Sequence, residues 1–174
     1  AADSWTAKAD YPGASTSSMG SFAIGSLGYC GCGNSDDDFH EYNPSTNNWT
    51  AKSDYPAGAL TSLVGLTIGS LGYLGATTTP WWSYNPSDDS WTQLTDYPGD
   101  YAGCGFVISG IAYIGDKDGW WKFTPADNAW VAITAYPFPD FSQVGFAIND
   151  IGYAGTGNDN AGAGPYKRFY AYTP

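Results

Sequence analysis

Tryptophan recurs at positions 5, 49, 91 and 130, at steps of 44, 42 and 39 residues, and each copy opens a segment that ends in Tyr-Pro. Those endings are Asp10-Tyr11-Pro12, Asp54-Tyr55-Pro56, Asp96-Tyr97-Pro98 and Ala135-Tyr136-Pro137. A period of this length marks a chain made of copies of one supersecondary unit, each too small to bury its apolar face alone. Two further ladders keep the same phase. One is Gly28-Tyr29, Gly72-Tyr73, Ala112-Tyr113 and Gly152-Tyr153; the other is Tyr42-Asn-Pro, Tyr84-Asn-Pro, Phe123-Thr-Pro and Tyr172-Thr-Pro.

Within each unit an alternating stretch comes first (Phe22 and Ile24, Leu66 and Ile68, Phe106 and Ile108, Phe146 and Ile148). A Tyr-x-Gly stretch, an aromatic run ending in Tyr-x-Pro and the Trp stretch follow. Each is of strand length and bounded by Gly, Pro, Asn or Asp, so a unit reads as a four-stranded antiparallel meander. Composition agrees. Aromatics reach 17% and Gly numbers 23 against a single Met, which excludes a coiled coil or helical bundle. Sixteen of the seventeen acidic residues are Asp, a turn residue, and only Glu41 is Glu.

Four copies of this pattern resemble the kelch repeat of the bacterial secreted type, over essentially the whole chain. The kelch unit combines a glycine motif after its second strand with a Tyr and a Trp separated by a short turn. Here the glycines are Gly31, Gly75, Gly115 and Gly155, without the adjacent second glycine of the family; only displaced ones stand at Gly33 and Gly157. The resemblance implies an all-β fold, a β-propeller of four four-stranded antiparallel blades, and no particular activity, since one scaffold hosts many functions. It gives a single domain over 1–174, with units of about 14–56, 57–98, 99–137 and 138–174 plus 1–13.

The termini continue the repeat. An aromatic leads Trp by seven residues from Tyr42 to Trp49, Tyr84 to Trp91 and Phe123 to Trp130, and joining Pro174 to Ala1 gives the same step from Tyr172 to Trp5. The chain is therefore cut inside one blade, whose outermost strand is N-terminal and whose other three are C-terminal. Pairing within one molecule closes the ring and hides both sheet edges; pairing between molecules gives head-to-tail assembly. The high local concentration of a tethered strand favours closure within one chain. A ring of four must turn 90° per blade, which suits small residues on inner strands (Gly20, Gly65, Gly105, Gly145) and all eight Trp on outer ones. A half-ring that dimerises is the alternative.

Chemistry-bearing residues are few. His40 is the only histidine, and without a second one to complete a metal site or triad it reads as a polar member of an aromatic row. Cys30, Cys32 and Cys104 lack zinc-site spacing and read as small buried hydrophobes, with a strained Cys30–Cys32 bridge as the other reading. Asp36, Asp37 and Asp38, Asp116 and Asp118, and Asn158 and Asp159 lie in loops between second and third strands, on the rim that also carries the Tyr-Pro turns. Such loops offer oxygen ligands, which makes Asp116 and Asp118 weak calcium candidates against ordinary turn chemistry; no other cofactor is indicated. Trp81 and Trp120, first of the pairs Trp81-Trp82 and Trp120-Trp121, read mainly as packing between blades, with sugar stacking at the rim as the functional alternative. Tyr166 joins the rim set. Asn48 in Asn48-Trp49-Thr50 is a weak glycosylation acceptor, and Thr77 to Thr79 a weaker O-linked one.

A net charge of −11 repels a phosphate backbone, so nucleic acid is not an expected partner. No apolar run is long enough for a membrane helix. The start Ala-Ala-Asp, without Met or signal peptide, reads as a processed product or an excised piece. Few Lys and many Tyr, Thr, Asn and Asp suit a secreted or cell-surface setting. With no nucleophile, base and orienter recognisable together, the expected role is a non-catalytic extracellular binding or assembly module with a protein or carbohydrate ligand at the loop rim. The alternatives are a subunit of an extracellular fibre or array that exchanges strands between copies, and a carbohydrate-binding propeller.

Overall fold

Two-residue turns start every blade. Ile24 pairs with Leu27, Ile68 with Leu71, Ile108 with Ile111 and Ile148 with Ile151. The left-handed backbone those turns need is supplied by Gly25, Gly69, Gly110 and the Asn149-Asp150 pair. Cross-strand aromatic pairs then fix register, with Phe22 stacked on Tyr29, Phe106 on Tyr113 and Phe146 on Tyr153 at 5.5–5.6 Å between ring centres.

In the computed structural model, residues 3–14, 17–34, 36–76, 79–100, 102–138, 140, 142–158 and 165–174 are described. Blade one is β1 (Gly20–Ile24), β2 (Leu27–Gly33), β3 (Asp36–Asn43) and β4 (Asn48–Lys52); blade two is β5 (Val64–Ile68), β6 (Leu71–Gly75), β7 (Trp82–Asn85) and β8 (Ser90–Gln93). Blade three is β9 (Cys104–Ile108), β10 (Ile111–Asp116), β11 (Gly119–Thr124) and β12 (Ala129–Ile133), and blade four is β13 (Val144–Ile148), β14 (Ile151–Gly155) and β15 (Phe169–Tyr172). Each is an antiparallel meander in sequence order. The fold is an all-β, four-bladed propeller.

Blades pack through their inner strands, β1 on β5, β5 on β9 and β9 on β13. Glycine makes the approach close enough. A Cβ at Gly72 would stand 2.1 Å from the Phe22 ring of blade one, and a Cβ at Gly152 the same distance from Phe106 of blade three. Buried aromatics fill each seam: Phe22, Phe39 and Tyr84 with Tyr55 between blades one and two, Tyr73, Trp81 and Phe123 with Tyr97 between two and three.

The sequence expectation of a sixteenth strand and of closure within one chain is corrected in two respects. No described strand of blade four touches blade one, so the described blades form an open arc. Residues 3–13 form no strand, and blade four has three strands among the described residues. The N-terminal segment is held on blade one. Ala9 N–H donates to Asn47 Oδ1 at 3.0 Å, Trp49 Nε1–H donates to the Ala9 carbonyl at 3.0 Å, and Tyr11 OH meets His40 Nδ1 at 3.1 Å. Ser53 and Thr95 hold the linkers into blades two and three in the same way, so these contacts mark residues 9–11 as the linker into blade one, and the residues before it find no strand partner because blade four does not reach blade one.

Candidate functional site

The residues just before the inner strands of blades two, three and four occupy equivalent places, and they converge at one end of the propeller axis. Ser62, Leu63 and Val64, Ala102 and Gly103, and Ser142 and Gln143 line a cavity of about 320 Å³ there. Gln143 is 5% exposed, yet both its amide oxygen and its amide nitrogen lack a hydrogen-bond partner. A buried amide left in this state costs about 1–3 kcal/mol, so it calls for an explanation. Gly103 forms the wall opposite. Its Cβ position would lie 2.9 Å from Cβ of Asp116, whose carboxylate sits directly behind it.

Asp116, at the end of β10, is 1% exposed. Oδ1 accepts the backbone N–H of Asp118 at 2.9 Å while Oδ2 has no partner. Burial raises its pKa to about 6, and the nearby Asp118 carboxylate adds to the rise. A second carboxylate is buried in the approach to blade four. Asp140 is fully buried and pairs with Arg168 Nη2 at 2.7 Å, leaving Oδ2 without a partner. The Arg168 guanidinium lies over the rings of Phe138 and Tyr166, 4.0 and 3.6 Å from their centres.

The sequence candidates disperse over this surface. Asp36, Asp37 and Asp38 open β3 and are half-buried; Asp36 Oδ1 accepts the Asp38 N–H at 3.1 Å, and Asp38 Oδ2 accepts Ala14 N–H at 3.3 Å. The Asp118 carboxylate is paired with the Lys117 ammonium. Among the described residues no three His, Cys, Asp or Glu side chains gather as a metal site. Trp81 and Trp120 are buried in the seams between blades, Trp81 against Tyr97 and Trp130 and Trp120 against Phe106, so neither ring faces the rim. Asn158 is half-buried, and Tyr166 is the residue stacked under Arg168. Asp159 and the Thr77-Thr78 pair lie outside the described residues. Asn48 is exposed at the start of β4.

His40 and the cysteines have structural surroundings. His40 is buried and engaged by Tyr11, whose ring stands edge-on to it at 5.0 Å. All three cysteines are free thiols; burial pushes Cys30 up to about 11 and Cys104 up to about 12, and raises Cys32 further. Sequence reasoning missed Gln143, Asp140 and Arg168. A signal existed: the repeat places Leu63 and Gly103 at the position of Gln143, so a polar residue there breaks an apolar series.

No family model matches the chain, and no curated protein matches it. Among solved structures it is similar to YjhT, with a TM-score of 0.75 at 15% identity over 91% of this chain; the match spans 65% of the YjhT chain. At that identity the likeness concerns fold alone. The kelch resemblance is thus borne out as a propeller and no further.

Proposed function

We propose that this chain is a non-catalytic binding module, secreted or displayed at the cell surface, whose axial cavity takes a neutral polyhydroxylated ligand of the carbohydrate class. The unpartnered Gln143 amide carries the reading. An amide presents a donor and an acceptor side by side, which neighbouring hydroxyls of a sugar can satisfy together. Three blades contribute to the cavity, the usual way a rigid scaffold displays a binding site. The −11 charge argues against an anionic ligand. The non-catalytic part is supported by the engaged His40 and by thiols held in the neutral, poorly nucleophilic form. The test is a screen of neutral and acidic oligosaccharides with calorimetry on the hits, repeated with Gln143→Leu. Binding of neutral sugars lost in the variant supports the assignment. Hits with unchanged affinity in the variant, or no sugar bound at all, overturn it.

A further inference from the structure

Among the described residues blade four has no outer strand but keeps the seat for that strand's tryptophan. In the complete blades the seat has four parts. The Trp ring packs on the aromatic seven residues earlier, Trp49 on Tyr42, Trp91 on Tyr84 and Trp130 on Phe123, at 4.8–4.9 Å. It meets the incoming linker tyrosine edge-on, Tyr11, Tyr55 or Tyr97, at 5.0–5.4 Å. In blades two and three it also touches an aromatic of the preceding blade, Phe39 or Trp81. Finally, its indole N–H donates to the linker carbonyl of Ala9, Ser53 or Thr95 at 2.9–3.0 Å.

The equivalent four residues of blade four are Tyr172, Tyr136, Trp120 and Thr134, and all four line one apolar cavity of about 170 Å³. Tyr136 OH and Trp120 Nε1 are buried there without partners. The outer edge of β15 is unpaired among the described strands. The one repeat tryptophan without a seat is Trp5, which is fully exposed. Its own segment is tied to blade one, which blade four does not touch.

We infer that a second copy of this chain fills the gap: its residues Ser4 to Lys8 add to the edge of β15 as the fourth strand, with Trp5 in the cavity bounded by Trp120, Tyr136 and Tyr172. Its blade one then lands on the exposed face of blade four. The steric match is specific. Phe22 and Phe106 each seat over a neighbour's glycine, Gly72 and Gly152, whereas Phe146 of blade four is exposed and a Cβ at Gly28, the matching glycine of blade one, would meet nothing nearer than Tyr42 Cβ of its own blade at 4.0 Å. The polar link recurs too. Asn47, Asp89 and Asn128, two residues before Trp, accept the linker N–H of Ala9, Ser53 and Thr95 through Oδ1, and Asp3 holds that place before Trp5, opposite Thr134. Each copy offers one donor strand and one acceptor edge. Propellers run from about four to eight blades, so two four-bladed arcs exchanging strands reciprocally close one ring.

Light scattering on the intact chain, with a concentration series at physiological salt, tests this. The expected wild-type mass is twice the 18.5 kDa of one chain, falling to one chain mass on dilution. Trp5→Ala removes a side chain exposed in the single chain, and the Cβ added by Gly28→Val meets nothing nearer there than Tyr42 Cβ of its own blade, in ordinary contact at 4.0 Å, so both variants keep the wild-type far-UV spectrum. Both should be monomers where the wild type is a dimer. A monomeric wild type, or a dimer unchanged in mass by either variant, overturns the inference.

Discussion

Trp91 donates its indole N–H to the backbone carbonyl of Ser53 at 2.9 Å, so the outer strand of blade two is bolted to the linker that leaves blade one. Asp89 accepts the Ser53 N–H at 3.0 Å through Oδ1, and Ser53 Oγ donates to the Asp89 carbonyl at 2.8 Å. The same carboxylate accepts Tyr84 OH at 2.7 Å. One short turn therefore joins two blades by side-chain bonds where no strand pairing exists, and its left-handed Asp89 explains the preference for Asn or Asp at that place.

Trp91→Ala removes a half-buried ring packed on Phe39, Tyr55 and Tyr84, and leaves the Ser53 carbonyl without its donor. The expected loss is about 3 kcal/mol, at the lower end for a tryptophan because the ring is partly exposed. Trp91→Phe keeps most of the packing and should lose about 1 kcal/mol, mainly the hydrogen bond. Urea melts of both variants measure the split; a loss below about 0.5 kcal/mol for Trp91→Ala would show that the seam does not depend on it.

Gly72→Ala places a methyl group 2.1 Å from the Phe22 ring, in the seam between blades one and two. Overpacking of this kind costs about 1–3 kcal/mol. Gly28→Ala, at the same place in blade one, meets no neighbouring blade and should leave the melt of the single chain within about 0.5 kcal/mol of wild type. Equal losses at the two sites would contradict the packing of Phe22 on Gly72.

Most of the fold is legible in the sequence because the repeat carries it. The Trp, Gly-Tyr and Tyr-x-Pro ladders mark the outer, second and third strands, and all their members but Trp5 land on the expected element. The missing sixteenth strand is a different matter. The seven-residue step from Tyr172 to Trp5 shows that the two strands belong to one kind of blade, but a repeat has the same phase whether its pieces come from one molecule or two. What the repeat leaves open is whether blade four reaches blade one, and the described strands of the two do not touch. The site was less legible for a similar reason. Acidic loops attract notice in a sequence, whereas Gln143 and Asp140 become conspicuous only once burial shows their polar atoms without partners.

Asp116 gives stability a pH dependence of definite sign. Its folded pKa, raised to about 6, exceeds the roughly 3.9 of an unfolded chain. Between these values the folded protein holds a proton that the unfolded chain has released, so raising the pH through this window withdraws stability, on the order of 1–2 kcal/mol. Asp116→Asn keeps an oxygen for the Asp118 N–H and does not titrate. Relative to wild type, its melting temperature should therefore improve from pH 4 to pH 7. A difference that stays constant over that range would mean that the carboxylate titrates normally.

Gln143→Leu separates the cost of the axial cavity from its use. In the free protein the amide is buried with neither atom bonded, so an apolar side chain of similar size relieves a penalty of about 1–3 kcal/mol and should raise the melting temperature by several degrees. Leu63 and Gly103 at the equivalent positions of blades two and three show that the fold itself does not need a polar group there. If the amide exists to meet a ligand, the same substitution removes its donor and acceptor together, and a polar ligand then faces an apolar wall on that side. Stability and binding should move in opposite directions in this one variant. Thermal melts and calorimetry on the same preparation measure both, and a variant less stable than wild type would show that the amide is satisfied within the fold and that the cavity was not built around it.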